Sequence, residues 1–312
     1  MPAISVIMPV FNRAASVGQA IDSVLAQSFG DFELIVVDDG SSDGTTAAVE
    51  AVTDKRVRLV RLPSNRGGNA ARNRGIDEAR APLLAFLDSD DLYLPDKLGF
   101  TVRYFEANPE IDVLIDSFVK RYATGLERPD VALRNPVLRS NAEIVEALYL
   151  RRIWKATPGI AVRTRTAIAA GKFDEELKRR QDFDFLLRLA KVGRCASTDE
   201  TLWVKTNTSD AISADLRSFA GSAIAFYRRH PEYYSDPRYR RGFALDVGRH
   251  FSRLVKRGQL GGAARDATIF AREVGPFKFL GLLSAGILPS LKRRRRIRTL
   301  GRRPGGNGPE AA

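Results

Sequence analysis

The sequence predicts an α/β protein: a mostly parallel sheet flanked by helices, followed by a helical C-terminal appendage. Three observations predict it. From residue 4 to 88, short apolar runs rich in β-branched residues alternate with segments of helical period, the order that buries a parallel sheet between helices. Carboxylates and glycines fall at the carboxyl ends of those runs, where such sheets bind ligands. Beyond about residue 215 the pattern is helical and Arg-rich.

Taken in order, ISVIMPV (4–10) is the first strand. Ser16 then precedes Val17, Ala20, Ile21, Val24 and Leu25, which share one helical face. FELIVVDD (32–39) is a second strand, closed by the turn cluster Gly40-Ser41-Ser42-Asp43-Gly44. A helix over about 45–53 leads to VRLVRL (57–62), the third strand, and the loop Asn65-Arg66-Gly67-Gly68 to a helix over 69–80. LLAFLD (83–88) is the fourth strand. Pro95 suits the first turn of a helix reaching about 107. IDVLID (111–116) and GIAVRT (159–164) are strands, Ser140 and Glu143 form a capping box, and 181–190 is a helix.

At 312 residues, 44% apolar and 28% charged, the chain can bury one large core, or one core plus a small appendage. Its start lacks the order of a signal peptide, and no apolar run reaches the roughly 18 to 20 residues of a spanning helix. Cys195 is the only cysteine, which excludes an internal disulfide or a cysteine-built metal centre. His230 and His250 lie far apart in a setting that does not suggest zinc. A reducing cytoplasmic setting fits. The net charge is +13, and residues 276–303 hold nine Lys or Arg and no acid, leaving +4 elsewhere. The basicity thus reads as a property of the tail, and no nucleic-acid partner is expected.

Four segments carry chemistry. Asp88-Ser89-Asp90-Asp91 follows a strand, and three carboxylates this close repel one another unless a cation lies among them. Such hard oxygen ligands suit Mg²⁺ or Mn²⁺, although an acidic turn before a helix gives the same letters. Asp38-Asp39-Gly40-Ser41 offers a carboxylate to a base N–H beside a glycine that permits close approach, or it is an ordinary strand-to-helix turn. The stretch from Asn65 to Gly75 is a glycine-rich loop opening a helix, which favours anions. Gln181-Asp182-Phe183-Asp184 opens a helix, where Asp182 is either a first-turn acid favoured by the dipole or a general base.

Together and in this order, these pieces resemble the family 2 glycosyltransferases of GT-A fold. The resemblance rests on ISVIMPVFNR, VVDDGSSDGT, NRGGNAARNRGI, AFLDSDDLYLPDKL, GKFDEEL and QDFDFLLRLA, and it covers residues 3 to about 210. It implies an inverting single displacement from a nucleotide diphosphate-sugar, usually a UDP-sugar, with Mn²⁺ or Mg²⁺. The Pro9 backbone and Asp39 would hold the base, with Arg74 near the nucleotide. Asp88, Asp90 and Asp91 correspond to the DxD-type element, Asp90 and Asp91 meeting metal or diphosphate, and Asp182 to the base. Residues 1–110 would bind the donor and 111–215 the acceptor. Gln181 departs from the Glu often found there, and its amide could still orient Asp182. Trp154 and Gln181 are candidates for the acceptor site. No Q-x-x-R-W segment is present, so single addition to a glycan or lipid-linked acceptor is expected rather than processive synthesis. A non-catalytic nucleotide-sugar-binding protein and a nucleotidyltransferase are the alternatives. Pro9-Val10-Phe11-Asn12, where a nucleotidyltransferase opens with a basic phosphate loop, argues against the latter.

Residues 216–291 are expected to be helical. Phe277 to Leu291 is mostly apolar and is followed by Lys292 and four arginines. That order suits peripheral contact of 277–303 with an anionic membrane on its cytoplasmic face, although a core helix followed by a solvated basic tail gives the same letters. Residues 292–312 are expected to be a disordered tail.

Overall fold

In β1 (Ile4–Val10) and β2 (Phe32–Asp38) nearly every residue is apolar and buried, which is possible only where both faces of a sheet are covered. The computed structural model describes residues 1–122, 129–206, 216–281 and 283. In it β1 pairs in parallel with β2 and with β4 (Leu83–Phe86), and β2 pairs in parallel with β3 (Val57–Arg61). The alternation along β2 shows how the two faces are covered. Leu34 and Val36 pack with Val17, Ala20, Ile21 and Val24 of α1 (Val17–Leu25) and with Leu98 and Val102 of α4 (Lys97–Ala107). Ile35 and Val37 face the other way, onto Ala71 of α3 (Gly68–Glu78).

Between these elements lie α2 (Thr45–Glu50) and the short β5 (Leu92–Tyr93). Then follow β6 (Val113–Arg121), β7 (Val131–Leu133), α5 (Asn141–Tyr149), β8 (Ile160–Arg163), α6 (Thr164–Ala169), α7 (Gln181–Val192) and β9 (Cys195–Thr206). The described residues form one nine-stranded sheet in the order β3-β2-β1-β4-β8-β6-β9-β5, with β7 on β6. The longest ladders, β1–β2 and β6–β9, are parallel, whereas β8, β7 and β5 run antiparallel to their neighbours.

The predicted elements are present with shifted ends. The fourth strand leaves the ladder after Phe86, so Leu87 to Asp91 form a loop rather than a strand end. The helix after Pro95 starts at Lys97, and the strand begun at 113 continues to Arg121. Ser140 Oγ receives the Glu143 N–H and donates to its carboxylate at 2.7 Å, capping α5. Strands β5, β7 and β9 and helix α6 had no counterpart in the sequence reading. In β9 the polar stretch Ser197 to Thr201 masks the pattern, and the register against β6 shifts beside it.

Gly75 shows how close α3 lies to the sheet: a Cβ there would overlap Ile7 Cγ2 and sit 3.3 Å from Val37 Cγ2. Ile7 is β-branched and stiff. Gly75→Ala is therefore expected to cost about 1–3 kcal/mol, read as a lowered urea midpoint with unchanged slope.

The chain divides into two units, Met1–Asp215 and Leu216–Ala312. The described part of the second contains α8 (Phe219–Arg229), α9 (Glu232–Ser235), α10 (Arg240–Lys256) and α11 (Leu260–Val274). Their core is aromatic, with Tyr227 4.5 Å from Phe243 and Phe219 stacked 4.0 Å from the His250 ring. The charge partition corrects the sequence reading. Residues 1–215 hold 29 Lys or Arg against 31 Asp or Glu, whereas 216–312 hold 21 against 6. Residues 216–281 alone hold 13 against 5, so the surplus belongs to the whole second unit and not to the tail alone. No helix among the described residues is long and apolar enough to cross a membrane. Of the apolar stretch beginning at Phe277, Phe279 is buried while Phe277 and Leu280 are exposed; 284–312 lies outside the described residues.

Candidate active site

The two carboxylates ending β2 have separate tasks. Asp38, fully buried, accepts the Ser41 N–H at 2.9 Å and the Thr46 hydroxyl at 2.6 Å. Burial pushes its carboxyl up, but hydrogen bonds from Ser41 and Thr46 and the charge of Arg61 outweigh it and hold the pKa below the usual value. Asp39 accepts the N–H groups of Arg66 and Gly67, each at 2.8 Å, and so fixes the glycine-rich loop. Gly40 has φ 75°, and a Cβ on it would meet the Ser64 and Asn65 backbone at 2.8–2.9 Å. Its lack of a side chain admits the protein's own loop, where the sequence suggested the approach of a ligand. Pro9 lies beside this corner, paired with Val37 and half-buried.

The acidic loop is held at several points. Leu87 N–H donates to Ile7 O at 3.0 Å, Tyr93 Oη donates to Phe86 O at 2.7 Å, and β5 pairs with β9 through Tyr93 and Trp203. Oxygens of Asp88, Asp90 and Asp91 consequently lie within 4.8 Å of one another. Asp91 is fully buried, accepting the Thr206 N–H at 2.8 Å with Lys205 Nζ at 3.5 Å. Burial pushes its carboxyl up to about 8, opposed by Lys205 and reinforced by Asp88 and Asp90. Burial lowers the Lys205 pKa less than Asp91, Asp88 and Asp90 raise it, so the ammonium is favoured. A half-buried triad of oxygen donors with excess negative charge fits a hard divalent cation.

A second basic residue facing this cluster is Arg72, whose Nη2 is 2.6 Å from Asp88 Oδ1. Arg74, the residue singled out from the sequence, pairs with Glu78 one turn further along α3 at 2.7 Å. Two residues apart on a helix means nearly opposite faces, and the pair with Asp88 is made by Arg72. Arg72→Gln is accordingly expected to raise the donor KM about tenfold, while Arg74→Gln leaves it within about twofold. Steady-state kinetics on the two variants checks this.

Helix α7 is seated at the carboxyl end of β4. Phe185 lies 6.3 Å from Phe86 and 4.1 Å from Phe173, ring centre to ring centre, and Phe86 lies two residues before Asp88. Asp182 stands three residues before Phe185, on the same face of the helix. Its Oδ1 accepts the Phe183 N–H at 2.8 Å, a first-turn contact. Gln181, half-buried, is the first residue of α7. Arg180 before it is left-handed at φ 67°, a strain of order 1–3 kcal/mol of the kind that gathers at functional sites. Trp154 is 47% exposed, and the next residue, Lys155, lies 4.1 Å over the Phe183 ring. Trp154 is thus partly exposed and one residue away from a contact with the first turn of α7.

The GKFDEEL segment is fastened to α3. Asn69 donates to Asp174 O and Leu177 O, and Asn73 donates to Phe173 O and Glu175 while accepting the Phe173 N–H. Sequence reasoning passed over these asparagines, Arg72 and Lys205. The four-residue spacing of Asn69 and Asn73 on one helical face was the available signal; Lys205 offered none.

The fold and the acidic loop agree with the glycosyltransferase family that the sequence motifs resemble. The family model described as glycosyl transferase family 2 matches residues 5–166. The chain belongs to that family. Among curated relatives, an uncharacterized glycosyltransferase of Haemophilus influenzae is 46% identical over 110 residues, 35% of this chain and 44% of its own length. The succinoglycan biosynthesis protein ExoO of Rhizobium meliloti is 46% identical over 98 residues, 31% of this chain and 28% of its own. The UDP-Glc:alpha-D-GlcNAc-diphosphoundecaprenol beta-1,3-glucosyltransferase WfgD of Escherichia coli is 39% identical over 99 residues, 32% and 39%. The matches therefore span less than half the length of these relatives. Among solved structures, S. aureus TarS 1-349 in complex with UDP-GlcNAc has a TM-score of 0.63 at 18% identity, covering 91% of each chain. The mannosyltransferase PcManGT from Pyrobaculum calidifontis, in complex with GDP-Man and Mn²⁺, has a TM-score of 0.59 at 20% identity, covering 96% of this chain and 83% of that one. These two likenesses concern the fold.

Proposed function

We propose that the chain is an inverting transferase that moves one sugar from a UDP-sugar onto a hydroxyl of a lipid-linked or surface-polysaccharide intermediate. The observation that carries this reading is the acidic loop, gathered opposite Arg72 and Lys205 just beyond the carboxyl end of β4. The Pro9 backbone and Asp39 hold the base, and Asp39 also keeps the glycine-rich loop in place beneath it. Arg72 sets the position of Asp88. Asp90 and Asp91 would hold Mn²⁺ or Mg²⁺, which when bound offsets the charge developing on the diphosphate. Lys205 adds a second positive charge there. Asp182 takes the proton of the acceptor hydroxyl as its oxygen bonds to the anomeric carbon. The bond from that carbon to the phosphate oxygen breaks with its electron pair, and attack from the opposite face inverts the centre. Trp154 and Gln181 flank the acceptor.

The name of the E. coli relative includes a UDP-sugar donor and a diphosphoundecaprenol acceptor, which supports this choice. A lipid-linked acceptor would bring the enzyme to the cytoplasmic face of a membrane, and the basic segment 277–303 suits that location. The test is a donor panel with Mn²⁺ present, covering UDP- and GDP-sugars, with nucleotide release and product anomeric configuration followed by NMR. Release of UDP with inversion is expected. GDP-sugar turnover alone, or retention, overturns the reading.

A further inference from the structure

The turn joining α10 to α11 combines features that the transfer reaction does not use. It is rigidly closed: Gly258, at φ 68°, donates to Val255 O at 3.0 Å, and Gln259 donates to Leu254 O at 2.9 Å. Beside it is a surface cavity of about 370 Å³ lined by Arg217, Leu254, Gln259, Gly262 and Arg265. None of these side chains is acidic. Asp266, next to Arg265, is fully buried and held below the surface by His250 Nε2 at 2.7 Å. Arg265 bonds Asp266 Oδ1 through Nε at 2.9 Å and Nη2 at 2.8 Å. That contact fixes the guanidinium, and its five-donor fork has N–H groups beyond those two. Gly262 in the wall belongs to the first turn of α11, so the positive end of that helix dipole adds to the field.

The rim of the turn is apolar and cationic at once. Val255 is 57% and Leu260 65% exposed. Arg253, Lys256 and Arg257 stand exposed around them. A soluble phosphate needs the arginines but not the exposed aliphatic pair, and a nucleic acid gains nothing from it. A bilayer uses both, with anionic headgroups meeting the cations and apolar side chains entering the acyl boundary.

We propose that this cavity binds the phosphate headgroup of an anionic membrane lipid, with Val255 and Leu260 entering the same leaflet. The site is built from residues 217–265, all of which precede the 277–303 segment in the chain. Its test reads membrane binding rather than turnover, so its failure is distinguishable from failure of the transfer reading.

The experiment is flotation of the full chain with vesicles of phosphatidylcholine containing 30 mol% phosphatidylglycerol, and with phosphatidylcholine alone. Binding is expected only with the anionic lipid. Val255→Glu with Leu260→Glu should reduce the partition coefficient about tenfold or more, and Arg217→Gln should weaken it severalfold. All three positions are exposed, and unchanged circular-dichroism melts will confirm folding. A chain with Lys292 and Arg293 to Arg296 replaced by Gln should keep its preference for the anionic lipid and its sensitivity to the Val255/Leu260 change. Wild-type flotation by the double variant overturns the proposal, as does complete loss of binding in the tail variant. Calorimetry with inorganic phosphate and with duplex DNA separates the other sources. Saturable binding of either that Arg217→Gln abolishes, unaffected by the Val255/Leu260 change and not displaced by anionic vesicles, also overturns it.

Discussion

Asp182→Asn is expected to lower kcat roughly a thousandfold while the donor KM stays within about twofold. Asparagine is close in shape and keeps an oxygen able to accept the Phe183 N–H, so the first turn of α7 stays satisfied. What it lacks is a lone pair basic enough to take the acceptor's proton. The substitution therefore separates the two meanings of an acid at a helix start. If Asp182 only caps α7, the variant loses about 1 kcal/mol of stability or less and little activity. If it is the base, stability is nearly unchanged and turnover collapses. Thermal melts alongside single-turnover kinetics at saturating donor decide between these, and a kcat loss below tenfold ends the base assignment.

The second large effect concerns Asp91. Its carboxyl is pushed up to about 8 from 3.8 by burial and by Asp88 and Asp90, against the pull of Lys205. Between those two values the folded, metal-free protein holds a proton that the unfolded chain has released. From this group alone, stability of the metal-free protein should therefore be full below about pH 4, fall as pH rises toward 8, and level off above it. Asp91→Asn removes that slope, keeps an acceptor for the Thr206 N–H, and should raise the metal-free melting temperature at pH 8 by several degrees, about 2–4 °C per kcal/mol gained. The same change should cut turnover about 10²- to 10³-fold, because the group opposing charge build-up on the leaving diphosphate is less firmly held. Chelation of divalent ions should abolish wild-type turnover, and Mn²⁺ should restore it. Melting curves from pH 5 to 9 with chelator present check the first claim. An identical pH slope in Asp91→Asn would show that the buried carboxyl is not its source.

The candidate site was partly legible in the sequence for a definite reason. Asp88, Asp90 and Asp91 sit within four residues after an apolar run, and Asp38 and Asp39 close another. Carboxylates crowded at a strand end announce themselves without any knowledge of distant contacts. Arg72 did not, because Arg72 and Arg74 look alike in the loop-and-helix string and differ only in which side of α3 they occupy. Lys205 and Thr206 did not, because they reach Asp91 across 114 and 115 residues through the pairing of β5 with β9. Strand β9 itself was hidden by its polar centre.

The parallel half of the sheet, the helices covering both its faces and the chemical character of the loops follow from the order of residues alone. These depend on apolar period and on residues adjacent in the chain, which any folded form must respect. Only the tertiary structure decided which arginine faces the acids, that Asp38 braces its own turn while Asp39 holds the neighbouring loop, and that Asp91 is buried beside Lys205. It also decided that the positive charge belongs to a separate helical unit. Each of these depends on how distant segments pack, and a side chain's partner is fixed by the face and depth at which its element is buried, which local pattern does not encode.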